Sequence, residues 1–129
     1  MSLRTPLSKV KGLGSAKQGT HHWWQQRLTA LALVPLSLWF VYSLITMVAA
    51  DYNTVVAWMS LPHVTILLIM FVVALFYHAQ LGLQVVIEDY IHSEWQKFSC
   101  IILVKFLSAV GALASLLSVL NIFFGFNVS

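Results

Sequence analysis

The chain has 129 residues, 60% of them hydrophobic and 9% charged, with a mean hydropathy of +0.86 and a formal net charge of +3. This composition excludes a water-soluble globular domain, whose surface needs far more charge. The single cysteine, Cys100, excludes an intrachain disulfide and any zinc or iron–sulfur site built from this chain's cysteines alone. The expectation is an all-α integral membrane protein, a single domain over residues 1–129.

Residues Met1 to Thr20 carry Arg4, Lys9, Lys11 and Lys17 with three glycines and no apolar periodicity, which reads as an exposed basic arm. No nucleic-acid motif accompanies these cations, and they are better read as topology signals beside apolar segments. The first 27 residues lack an apolar run, so no secretory signal peptide is expected and the first span does the targeting. A basic, acid-free start also resembles a mitochondrial presequence, which leaves bacterial and organellar inner membranes both open. HHWWQQR follows, and Trp23 and Trp24 suit a membrane–water interface.

Three spans are expected, at about 28–50, 63–87 and 98–126, each long enough to cross a hydrocarbon core about 30 Å thick. Pro35 is expected to kink the first. Asp51 to Pro62 reads as a short loop without lysine or arginine, with Tyr52 and Trp58 as interface anchors. Glu88 to Lys97 reads as the second loop, with Trp95 as a further anchor. Five Lys and Arg precede the first span, none lies in the first loop or the tail, and Lys97 and Lys105 flank the second loop. By the positive-inside rule the N-terminus and second loop face inward, and the first loop and C-terminus face outward. In the third span Ser108, Gly111, Ala112, Ser115 and Ser118 form a small-residue stripe suited to close helix approach, within this chain or with another.

Chemistry concentrates in HAQLGLQVVIEDY, His78 to Tyr90. Eleven positions put His78 and Asp89 on one helix face about 16 Å apart along the axis. With Asp89 at the membrane surface, His78 lies near mid-membrane, where an ionisable residue faces a partner, a pocket or a cofactor. Two readings stand: a hydrogen-bonded structural histidine, or an axial ligand of haem iron, with Gly82 one turn on leaving room for a flat macrocycle. His21 and His22 lie about 15 Å away and His63 about 22 Å along the helix, too far to share the iron, so a bound haem would lie between chains. Asp89 and Tyr90 suit quinone reduction, which needs a hydrogen bond to a carbonyl oxygen and a proton route, or else form a helix-end surface patch. Arg27 either snorkels to headgroups or pairs with haem propionates beside His21 and His22, and Lys105 reads as a snorkelling residue.

GLGSAKQGTHHWWQQR at Gly12 to Arg27, with a mid-membrane histidine followed eleven and twelve residues later by Asp-Tyr, resembles the hydrophobic membrane-anchor (D) subunits of succinate dehydrogenase, respiratory complex II, of alphaproteobacterial type. The likeness covers nearly the whole chain. It implies that His78 is an axial ligand of a haem b whose other ligand comes from a cytochrome b subunit. It also implies that Tyr90, beside Asp89, hydrogen-bonds ubiquinone, and that Arg27 and His21 lie near the propionates, with His22 the competing assignment. The implied partners are a cytochrome b subunit, an iron–sulfur subunit and a flavoprotein subunit. FAD and the clusters would lie in the soluble pair, and no dicarboxylate active site would lie in this chain. The implied location is a bacterial cytoplasmic membrane. A fumarate reductase anchor, a homodimeric cytochrome and a non-redox scaffold or assembly protein with a structural His78 are the rival readings.

Overall fold

The structure is a computed structural model describing the backbone of residues 16–125 and the side-chain surroundings of residues 20–125. Arg4, Lys9 and Lys11 of the basic arm, and the expected end of the third span at Phe126, lie outside the described residues. Four helices account for nearly all that is described: α1 (Ala16–Met47), α2 (Tyr52–Met59), α3 (Pro62–Tyr90) and α4 (Glu94–Phe124). Among the described residues, three segments are long and apolar enough to cross a membrane: Thr20–Met47, Pro62–Tyr90 and Glu94–Phe124.

The helices outrun the apolar runs that predict them. AKQGTHHWWQQR lacks proline and holds strong helix formers, so α1 begins well before the apolar segment at Leu28 and continues through Pro35. At the other end of the span Met47 closes it, three residues short of Ala50. Likewise α3 takes Asp89 and Tyr90 into its last turn, and α4 takes in Trp95 and Lys97.

The segment expected as a loop between the first two spans is instead largely helical. Asp51 caps α2, its carboxylate accepting from the Thr54 amide at 3.2 Å and from the Thr54 hydroxyl. Ser60 closes α2, its amide donating to the Val56 carbonyl and the next amide, that of Leu61, to the Trp58 carbonyl, and Pro62 then opens α3 where a missing N–H costs nothing. Gly125, with φ +69°, ends α4 in the left-handed conformation that glycine adopts without a Cβ penalty.

Helix α3 lies between α1 and α4 and packs on both. The core gathers near α2, where Val64, Leu68 and Val119 pack against Trp39, Phe40, Trp58, Met59 and Ile69. Trp39 and Trp58 stack with ring centroids 6.0 Å apart, Phe40 and Phe71 with centroids 4.7 Å apart. Buried Thr65 ties the α2–α3 turn, its hydroxyl 2.8 Å from the Met59 carbonyl and 3.0 Å from that of Leu61. Gly111 lets α4 approach α3 closely: a Cβ there would lie 2.6 Å from Phe76 Cε1. The small-residue stripe thus serves contact within the chain at this point. Most other apolar side chains of the spans are exposed, a surface that lipid or other chains must cover.

Candidate functional site

The intramembrane histidine sits at the α1–α3 contact. His78 is half-buried, with Nδ1 3.0 Å from the hydroxyl of Thr29 on α1. One turn along α3, Gly82 faces α1 as well, yet a Cβ there would meet nothing nearer than Gln26 Nε2 at 4.0 Å. Glycine inside a helix costs about 0.5–1 kcal/mol relative to alanine, and packing within this chain gives no reason for it here. The amide oxygen of Gln26 is buried without a hydrogen-bond partner. An orphaned buried acceptor beside an unexplained glycine is what a site completed by another molecule leaves behind.

A second polar feature lies on the adjacent face of the bundle. His21, His22 and Gln25 of α1, Tyr77, Gln80 and Gln84 of α3, and Lys105 of α4 line a cleft of about 570 Å³. Gln25 Nε2 donates to His21 Nε2 at 2.8 Å, one turn apart on α1. Tyr77 also borders an apolar groove of about 370 Å³ between α1 and α3, lined by Leu28, Thr29, Ala32, Leu36, Ile69 and Met70 among others. Polar cleft and apolar groove therefore meet at one tyrosine.

The residues singled out in the sequence fall into separate places. His21 and His22 share the cleft, joined by Lys105, which sequence reading assigned to snorkelling. Arg27 does not join them: six residues beyond His21 it points roughly 120° away around the helix, and its guanidinium lies 5.1 Å from the Trp23 ring centroid. Asp89 and Tyr90 are exposed at the end of α3, Tyr90 by 78%. A phenol so exposed is not enclosed by its own chain.

Thr29, Gln25, Gln26, Tyr77, Gln80 and Gln84 went unnoticed in the sequence. One signal was there to be read, since Gln80, Gln84 and Glu88 recur every four residues along an otherwise apolar span, and Gln84 Nε2 donates to Glu88 Oε1 at 3.1 Å. Nothing in the sequence paired Thr29 with His78, 49 positions away.

Among the described residues no three His, Cys, Asp or Glu side chains gather to hold a metal ion. The donor set offered at His78 is a single imidazole with a half-buried ring set by Thr29, and one turn on a glycine whose Cβ position meets nothing nearer than 4.0 Å. These features fit a haem whose second axial ligand comes from another chain.

Three long apolar helices with an imidazole set between two of them define a multi-pass membrane protein. The chain belongs to the succinate dehydrogenase/fumarate reductase transmembrane subunit family, which matches residues 1–112. The succinate dehydrogenase hydrophobic membrane anchor subunit of Rickettsia bellii is 40% identical over 116 residues, covering 90% of this chain and 93% of that protein. Its counterpart in Rickettsia conorii is 38% identical over 112 residues, covering 86% and 89%. The Paracoccus denitrificans subunit of the same name is 30% identical over 110 residues, covering 85% of each chain. No solved structure matches the chain.

Proposed function

We propose that this chain is the hydrophobic membrane anchor of a succinate:ubiquinone oxidoreductase in a bacterial cytoplasmic membrane, with its N-terminus inside and its C-terminus outside. Relatives named as succinate dehydrogenase anchors along nearly their whole length support that direction over a fumarate reductase. The flavoprotein and iron–sulfur subunits carry succinate oxidation. This chain holds them at the membrane with a cytochrome b subunit and forms part of the ubiquinone site.

The observation that carries the redox reading is the His78 imidazole, oriented by Thr29 at the α1–α3 contact. His78 would hold a haem b together with a residue of the cytochrome b subunit. When bound, that haem supplies a one-electron carrier within the membrane. His21 or His22 and Arg27 are the propionate partners, reached from different faces of α1. Tyr90 donates a hydrogen bond to a ubiquinone carbonyl oxygen, and Asp89 beside it serves proton entry. Both side chains lie exposed at the end of α3, where neighbouring subunits would close the pocket around them.

Gentle detergent purification of the native assembly, with mass spectrometry and a dithionite-reduced spectrum on one sample, tests this reading. A flavoprotein, an iron–sulfur protein, a second small membrane chain and a b-type band are expected. Recovery of this chain alone without a b-type band overturns it and leaves His78 a structural residue.

A further inference from the structure

We infer that Thr29 is the positioning residue for His78: its hydroxyl accepts the Nδ1 proton, fixes the imidazole tautomer and leaves the Nε2 lone pair as the metal-binding atom. The inference rests on the haem reading above and goes beyond it to the second helix that sets the ligand.

The assignment follows from counting protons. A threonine hydroxyl has one proton to donate and lone pairs with which to accept. Thr29 Oγ1 lies 2.8 Å from the Gln25 carbonyl and 3.0 Å from the Gln26 carbonyl, the contacts through which a helical threonine returns its proton to its own backbone. Its proton thus directed, Oγ1 meets Nδ1 at 3.0 Å as an acceptor, and the ring must supply the proton. An imidazole with Nδ1–H carries its bare lone pair on Nε2. Metal-bound histidines almost always donate their other ring N–H in this manner, which fixes ring orientation and raises ligand basicity. Here the acceptor comes from α1 and the ligand from α3, so the pitch of the imidazole plane depends on the contact between two helices.

Thr29→Val keeps the shape of the side chain and deletes the hydroxyl, whereas Thr29→Ser keeps the hydroxyl and deletes a methyl. Both are to be compared in the purified, fully assembled complex. In Thr29→Val, haem affinity is expected to fall about tenfold or more. The low-spin ferric EPR signal of the remaining haem is expected to move as the ring reorients. Thr29→Ser should return both readouts to the wild-type values. Wild-type haem affinity and an unmoved EPR signal in Thr29→Val overturn the assignment.

Nitrogen NMR of isotope-labelled histidine in the reduced wild-type complex decides the matter even where the valine variant fails to accumulate. A protonated Nδ1 on His78 is expected, and a bare Nδ1 overturns the inference. His78→Ala separates this inference from the reading beneath it. Undiminished haem in His78→Ala defeats the haem reading itself, whereas haem lost there and unchanged in Thr29→Val defeats only the role of Thr29.

Discussion

At the α2 end of the bundle Val64, Leu68 and Val119 close against the stacked Trp39 and Trp58, while Asp51, Ser60 and Thr65 satisfy the turns with local hydrogen bonds. At the Tyr90 end the helices leave a cleft of about 570 Å³ lined by histidine, glutamine, tyrosine and lysine, and Tyr90 itself stands exposed. One end gathers a buried apolar cluster within the chain. The other sets polar groups toward space that its own residues do not fill, and buried or semi-buried polar groups in lipid require partners. For a subunit whose proposed work is to share a haem and a quinone with its neighbours, the unfinished end is the functional end. Stability and function are then carried by different halves, and mutations should separate them.

The largest expected effect is that of His78→Ala. The b-type absorbance of the assembled complex should disappear almost completely while subunit stoichiometry by mass spectrometry stays near the wild-type ratio. Loss of assembly in parallel with loss of haem would break the separation of the two ends. Leu68→Ala should act in the opposite sense. Removing a core leucine leaves a cavity worth about 2–5 kcal/mol in well-packed interiors, so thermal inactivation of the complex should come earlier while the haem spectrum before unfolding is unchanged. Tyr90→Phe removes a single hydrogen bond of about 0.5–1.5 kcal/mol, which predicts a roughly two- to tenfold slower reduction of ubiquinone. Electron transfer to a soluble acceptor should be spared, and equal loss with both acceptors counts against a quinone role for Tyr90.

How much of this was legible in the sequence depends on the range of the interaction concerned. The three spans follow from apolar runs, and His78 stands out because an imidazole amid them is costly. Helix ends were not legible from apolarity, because a helix does not stop where lipid stops: α1 runs on through HHWWQQR, and Asp89 and Tyr90 remain helical. Helix α2 was missed although its signal is local, an Asp51 cap with Thr54 three residues on. The candidate site was legible only in part. Gly82 and Gly111 are both helical glycines among apolar neighbours, yet only Gly111 meets a ring that forbids a Cβ. That distinction depends on which helix faces which, as does the partnership of Thr29 with His78, and periodicity identifies faces without pairing them.

The smallest expected effect belongs to the well-packed end and concerns Asp51. The Thr54 hydroxyl, followed by the Thr54 amide, holds this exposed carboxyl below its ordinary 3.8. A depressed value in the folded state means that the charged cap stabilises α2 fully above the ordinary value and loses that contribution as pH falls through the folded one. The window therefore lies below about pH 4, where an ordinary aspartate carboxyl takes up its proton. Amide exchange at Thr54 should accelerate on acidification through this window in the wild type. In Asp51→Ala it should be fast already at neutral pH, with no acid-dependent step beyond the intrinsic pH dependence of exchange. Asp51→Asn should keep much of the protection, because an uncharged amide oxygen still accepts from the Thr54 N–H. The haem spectrum should be the same in all three proteins at neutral pH, since the cap acts on α2 and the α2–α3 turn while His78 is held by Thr29 far along α3. A haem spectrum that changes with Asp51 would show the two ends to be coupled through α3, and the division of labour between them would have to be abandoned.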